Sequence, residues 1–77
     1  MSDLAVKIGN RIIELRKEKE GLSQEKLAYK AEVDRTYMTG IETGKRNVSV
    51  FILDKIVKAL DINLSIFFND ESFRDGE

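Results

Sequence analysis

Apolar residues recur at helical spacing along most of this chain, and no proline interrupts them. A period of about 3.6 residues places four apolar side chains of residues 3–20 on one helical face, namely Leu4, Ile8, Ile12 and Leu15. Residues that commonly cap helices precede the later apolar segments, namely Ser23, Asp34, Ser49 and Asn63. The pattern predicts a compact, all-α domain of five helices.

The composition limits the classes of function that remain. The chain has 77 residues, enough for one domain over residues 1–77 with a small core. It has no cysteine and no histidine, which removes thiolate sites, disulfides and the commonest general base. We therefore expect no enzyme, no catalytic residue, no metal and no cofactor. No apolar run reaches the length of a membrane span, so we expect a cytoplasmic protein without a membrane partner.

The net charge of −1 hides an uneven distribution. Residues 1–60 contain 12 Lys and Arg against 9 Asp and Glu, whereas residues 61–77 contain one Arg against five acidic residues. The body of the chain is therefore mildly basic. Residues 69–77 form a polar, acidic tail, which we expect to fray.

Residues 22–47 predict two short helices joined by a tight turn. A steep helix crossing needs a small residue where the backbones approach, and Ala28 supplies it. Met38 and Ile41 can dock the second helix back on the first. The turn calls for a positive φ at Glu32, which costs a non-glycine residue about 1 kcal/mol. An ordinary αα-hairpin without a nucleic-acid role would meet the same requirements.

The outer face of the second of these helices favours DNA. A guanidinium at Arg35 can bind guanine O6 and N7, and Thr36 can contact a thymine methyl group or a base edge. Thr39 shares that face, so we expect these three residues to read bases. Gly40 beside them has two possible explanations: close packing on a neighbouring helix, or a bare surface that lets the helix approach DNA.

Other residues of this segment suit the DNA backbone. The free N–H groups at the start of the preceding helix, where Ser23 and Gln24 lie, suit a phosphate. Beyond the second helix, the flanking DNA backbone would be lined by Thr43, Arg46 and Asn47, with Tyr37 to one side. Such contacts carry affinity but no sequence information.

A self-association surface is predicted near the C-terminus. On a helix of about 3.6 residues per turn, Phe51 points away from the apolar face that starts at Val50. An exposed aromatic on so small a domain indicates an interface. We expect the dimer interface to contain Phe51, Ile52, Ile66 and Phe67. Alternatively, the last helix covers the core of its own subunit.

The runs SQEKLA, DRTYMTGIE and KRN resemble the phage-repressor-like (XRE-type) helix-turn-helix regulators, and most of all the controller proteins of restriction–modification systems. The resemblance covers residues 8–68. It implies a cytoplasmic homodimer that binds palindromic operator half-sites in double-stranded DNA upstream of its own gene. It also implies activation of that promoter at low level, and repression when a second dimer fills the adjacent, weaker site.

The resemblance also assigns roles to residues. It implies that Arg35 and Thr36 read bases, and that the groove or backbone is contacted by Gln24, Tyr37, Thr39, Arg46 and Asn47. It pairs Arg16 with Glu42 in a structural ion pair, and related activators suggest that Glu25 contacts the σ subunit of RNA polymerase. Rival interpretations are a generic phage-type repressor or an antitoxin, and a protein-interaction module that uses Phe51 and Phe67 without binding DNA.

Overall fold

The computed structural model describes residues 3–74, and within that range the fold consists of five α-helices and no strand. The elements are α1 Asp3–Lys17, α2 Gln24–Ala31, α3 Arg35–Glu42, α4 Val50–Ala59, α5 Leu64–Phe68 and a 3₁₀ turn at Glu71–Phe73. The prediction of an all-α fold is confirmed.

Local capping explains where the helices begin. A backbone N–H in the first turn of α2, α3, α4 or α5 donates to the side chain of the preceding cap, which is Ser23, Asp34, Ser49 or Asn63. Each cap contributes about 1 kcal/mol. Helix α1 ends at Lys17 rather than at residue 20, because residues 18–22 turn back and place Leu22 against the core.

Every helix contributes to one core. Helix α1 packs on α3, α2 packs on both α3 and α4, and α5 packs on α4. The largest fully buried side chains are Ile12, Leu27, Met38, Ile41, Ile56, Val57, Leu60 and Phe67. Burial of each aliphatic or aromatic side chain contributes about 1.5–3 kcal/mol. This core fixes the orientation of α2 and α3 relative to the rest of the molecule.

The crossing of α1 and α3 depends on Gly9. A Cβ atom at this position would lie 2.6 Å from the carbonyl oxygen of Glu42 and would also collide with the carbonyl oxygen of Ile41. The two backbones can approach this closely only because residue 9 has no side chain. The contact brings α1 directly against the end of α3, where Glu42 lies.

Residues 69–74 of the predicted tail pack against the domain rather than extend away from it. Phe73 of the 3₁₀ turn packs on Phe67 and Phe68, with ring centroids 5.9 and 4.9 Å away. Asp70 caps the turn by accepting hydrogen bonds from the N–H and hydroxyl of Ser72. Polar composition predicted disorder, but Phe73 is half-buried against the core and the 3₁₀ turn contacts α1. Residues 75–77 of the predicted tail lie outside the described residues.

Arg11 of α1 anchors this C-terminal segment. Its Nε donates to the carbonyl oxygen of Phe67 at 2.8 Å and its Nη2 to that of Ile66 at 3.1 Å. Its Nη1 also lies 3.4 Å from Asp70 Oδ1. A guanidinium therefore satisfies the carbonyl groups at the end of α5. Because these partners are more than fifty positions away in the sequence, no local pattern indicates this role.

Candidate nucleic-acid interface

Helices α2 and α3 meet in the predicted steep turn. Ala28 is buried where the helices approach, and the N–H of Val33 donates to its carbonyl oxygen at 2.9 Å. Glu32 adopts the left-handed conformation, with φ 58° and ψ 42°. Met38 and Ile41 are buried on the inner face of α3. The expected positive φ at Glu32 is confirmed, and the turn exposes the opposite face of α3.

The exposed face of α3 begins directly at its cap. The carboxylate of Asp34 accepts hydrogen bonds from the N–H groups of Thr36 and Tyr37 at 3.0 and 3.3 Å. Arg35, Thr36 and Thr39 are all exposed. A guanidinium and two hydroxyl groups therefore stand on one side of a short helix, at the end where a recognition helix meets base edges.

A buried ion pair supports this face from behind. Arg16 donates from Nε to Glu42 Oε2 at 2.9 Å and from Nη2 to Oε1 at 3.1 Å, and Glu42 is only 3% exposed. Gln24 Nε2 donates to the same Oε1 at 2.9 Å, and Thr39 Oγ1 donates to Gln24 Oε1 at 2.8 Å. One chain of hydrogen bonds therefore runs from α1 through α3 and α2 to the exposed face.

A second cluster fixes the segment that follows α3. The guanidinium carbon of Arg46 lies 5.5 Å from the centroid of the Tyr37 ring, and the Tyr37 hydroxyl donates to the carbonyl oxygen of Asn47 at 3.1 Å. The N–H groups of Lys45 and Arg46 both donate to the carbonyl oxygen of Gly40. The backbone and Arg46 are therefore held against α3.

The structure shows a third reason for glycine at position 40, beside the two explanations that the sequence allowed. A Cβ atom there would collide with Cγ of Arg46 and would lie 3.2 Å from its Cβ. The neighbour for which Gly40 makes room is the side chain of Arg46, not another helix. Whether the bare surface also admits a duplex stays a prediction. Sequence spacing could not indicate this contact, because it depends on how the chain turns after α3.

Three further residues lie at the borders of this surface. Arg35 Nη1 is 3.9 Å from Glu25 Oε1, an exposed pair worth little in water. Ser23 caps α2 and is exposed. The Thr43 hydroxyl donates to the carbonyl oxygen of Thr39 at 2.9 Å, with the carbonyl oxygen of Gly40 also within reach at 3.2 Å. The Arg35–Glu25 pair joins the start of α2 to the start of α3, whereas Ser23 and Thr43 make contacts within their own helices.

The predicted dimer surface is only partly present. Phe51 is 81% exposed and Ile66 is 50% exposed, whereas Ile52 is half-buried. Phe67 does not belong to this surface, because it is fully buried against the core of its own subunit. The alternative that α5 covers its own core is thus correct for this phenylalanine. Spacing within a five-residue helix could not separate its buried side from its exposed side.

Within residues 3–74, no group of three or more acidic, histidine or cysteine side chains is arranged to hold a metal ion. None of the helices that the structure describes is long and apolar enough to cross a membrane.

Comparison with known proteins identifies the family. Residues 12–67 match the helix-turn-helix family. The control protein C.MunI of Mycoplasma sp is 50% identical over 70 residues, which are 91% of this chain and 95% of that protein. The crystal structure of the restriction–modification controller protein C.AhdI of Aeromonas hydrophila superposes with a TM-score of 0.80 at 45% identity, covering 87% of this chain and all of that one.

A third relative was solved with DNA. The C.Esp1396I tetramer in complex with its natural 35 base-pair operator matches with a TM-score of 0.81 at 41% identity, covering 88% of each chain. These relatives agree with the resemblance carried by the segment DRTYMTGIE. The chain belongs to the helix-turn-helix family of transcriptional regulators and, within it, to the controller proteins of restriction–modification systems.

Proposed function

We propose that this protein works in the cytoplasm as a homodimer that binds palindromic half-sites in duplex DNA upstream of its own gene. At low level one dimer activates the promoter, and at higher level a second dimer on an adjacent, weaker site represses it. The C.Esp1396I tetramer on its operator supports the two-dimer arrangement. The regulated genes would include that of the endonuclease.

The observation that carries the proposal is the continuity of the α2–α3 surface. Contacts join Gln24 to Thr39, Glu25 to Arg35 and Tyr37 to both Arg46 and Asn47. One surface therefore combines base-reading groups with a cation suited to phosphate. An αα-hairpin without a nucleic-acid role would have no need for this arrangement.

The homodimer is argued from size and from exposed apolar area. Helix α3 has eight residues and can read only a few base pairs, too few for useful selectivity in a genome. Phe51 and Ile66 stand in solvent on the described chain. A second copy that covers them would double the number of bases read.

We propose further that Glu25 contacts the σ subunit of RNA polymerase. Its side chain is 72% exposed at the start of α2, beside the DNA-facing surface. Glu25→Gln should abolish activation in a reporter assay while operator affinity is retained or slightly raised. Unchanged activation by Glu25→Gln would exclude this contact.

The function is tested by separating base reading from phosphate binding. Arg35→Ala should lower operator affinity by about 1–3 kcal/mol and relax the preference at one base pair per half-site. Arg46→Ala should weaken binding to operator and scrambled duplex alike, and should flatten the salt dependence by about one unit of slope per subunit.

Both variants are titrated against both duplexes at several salt concentrations, with Lys30→Ala on the exposed side of α2 as the charge-matched control. Loss of operator preference in Arg46→Ala but not in Arg35→Ala would reverse the assignment. Equal affinity of the unmodified protein for operator and scrambled duplex at every salt concentration would contradict sequence-specific binding.

A further inference from the structure

We propose that Thr39 acts only as a hydrogen-bond acceptor, and that it therefore selects a base with an amino group in the major groove, adenine or cytosine, at one position of each half-site. The inference rests on the proposed function and names a rule of base selection within that surface. It follows from the direction of the hydrogen bonds behind α3.

The Arg16–Glu42 ion pair fixes the orientation of the Gln24 side chain. Both oxygens of Glu42 accept hydrogen bonds from Arg16, at 2.9 and 3.1 Å. A carboxylate bound to a guanidinium in this way can only accept. The atom of Gln24 that lies 2.9 Å from Glu42 Oε1 must therefore be the amide nitrogen. The amide cannot be reversed without placing two acceptors against each other.

The orientation of Gln24 in turn fixes the direction of the hydroxyl hydrogen of Thr39. With its nitrogen on Glu42, Gln24 presents its amide oxygen to Thr39 Oγ1 at 2.8 Å, and an amide oxygen can only accept. The other neighbour of this hydroxyl is the carbonyl oxygen of Arg35 at 3.1 Å, which is also an acceptor. A threonine hydroxyl has one hydrogen, so either arrangement uses it inside the protein. Only lone pairs remain on the exposed side.

An acceptor at Thr39 favours bases that present a hydrogen-bond donor. In the major groove the donors are the amino groups of adenine N6 and cytosine N4, whereas guanine O6 and N7 and thymine O4 are acceptors. An acceptor on the protein gains a hydrogen bond from the first pair and meets repulsion from the second. Thr36 differs, because within residues 3–74 its hydroxyl makes no hydrogen bond and can donate or accept.

The test compares Thr39 variants on duplexes that lack single amino groups. Binding sites are first selected from a pool of randomised duplexes with the unmodified protein. Purine then replaces each adenine, or 2-pyrimidinone each cytosine, one position at a time. Deletion of the relevant amino group should weaken the unmodified protein about threefold to tenfold, the range of one hydrogen bond. The base whose analogue produces the loss distinguishes adenine from cytosine.

The variants assign that loss to one hydroxyl. Thr39→Val should bind the intact site more weakly and lose no further affinity when the amino group is deleted, whereas Thr39→Ser should keep the dependence. Thr36→Val is the matched control, and it should retain the dependence whatever its own affinity. Circular dichroism checks that each variant is folded.

Two outcomes would overturn the inference and can be told apart. If the protein selects a site but no amino deletion depends on Thr39, or if Thr39→Val loses affinity for a guanine or thymine at its position, the acceptor role is wrong and the proposed function stands. If no sequence is enriched from the pool, the proposed function fails together with the inference.

Discussion

Glu42 joins the stability of the molecule to its DNA-facing surface. Its carboxylate accepts hydrogen bonds from Arg16 and Gln24 while remaining almost completely buried. A buried ion pair offers little net stability, yet removal of one partner leaves an uncompensated charge. The same loss would free the amide of Gln24 to rotate.

We expect Glu42→Ala to lower the free energy of unfolding by about 3–5 kcal/mol, because the partly buried guanidinium of Arg16 would be left without its counter-ion. Urea denaturation measures this change. Glu25→Ala provides an exposed control, for which we expect a change within about 0.5 kcal/mol. A loss for Glu42→Ala as small as that of the control would show that the pair contributes nothing to the fold.

Gly40→Ala should disturb DNA binding through Arg46 rather than through the fold. The added methyl group must displace the Arg46 side chain from α3, so affinity for scrambled duplex should fall by a similar factor to that of Arg46→Ala. Within an Arg46→Ala background, Gly40→Ala should have no further effect on affinity. Additive losses in the double variant would contradict the proposed link between these residues.

In residues 3–74 two non-glycine residues have a positive φ, Glu32 in the α2–α3 turn and Asp61 between α4 and α5. A non-glycine residue in the left-handed region costs about 1 kcal/mol, and Glu32 occupies that region. Its N–H still donates to the carbonyl oxygens of Ala28 and Tyr29, so the turn keeps its hydrogen bonds. The fold accepts the strain because α3 is held by its buried face.

Glu32→Gly should therefore raise the free energy of unfolding by about 1 kcal/mol. Glu32→Ala retains a Cβ atom and should change it by no more than about 0.5 kcal/mol, which separates backbone strain from any role of the carboxylate. Thermal and urea denaturation of both variants provide the measurement. A destabilised glycine variant would show that the left-handed conformation is not strained in this turn.

The 3₁₀ turn should depend on pH. The hydrogen bond from the Ser72 hydroxyl lowers the pKa of Asp70 below its ordinary 3.8, and the Ser72 N–H and the charges of Arg11 and Arg74 act in the same direction. Because this pKa is lower in the folded state, the stabilisation is present above pH 3.8 and is lost as the pH falls through the folded value.

NMR signals of Ser72 and Phe73, followed during acid titration, should show the turn loosening below pH 3.8. Asp70→Asn removes the titrating group and should abolish this acid-dependent step. Identical titration curves for the two proteins would rule out Asp70 as its origin.

The elements could be predicted more completely than their contacts. Caps such as Ser23 and Asp34 act within one helical turn, so the sequence near each helix start contains the relevant information. Other features depend on residues far away in the chain. These are the burial of Phe67, the packing of Phe73 on the core and the role of Arg11. Within the site, residue types on α3 indicated an exposed face, but spacing could not indicate the packing of Arg46 on Gly40.

At the scale of the whole molecule, the basic character of the body of the chain matters more than the net charge of −1. The exposed cations Arg35 and Arg46 lie on the α2–α3 surface, and one subunit offers only one short recognition helix. Two copies related by a twofold axis would present two such surfaces on the same side of a duplex. We therefore propose that the functional unit is a symmetric dimer on DNA.

The symmetric dimer can be tested by hydroxyl-radical footprinting on the DNA upstream of the protein's own gene. At concentrations that fill only the stronger site, we expect two protected half-sites related by a twofold axis, with centres about 34–36 Å apart along one face of the duplex. Phe51→Asp places a charge in the proposed dimer surface. At a protein concentration at which the unmodified protein fills this site, the variant should leave both half-sites unprotected. A single protected region without symmetry, or an unchanged footprint with Phe51→Asp, would show that the protein does not bind DNA as a symmetric dimer through this surface.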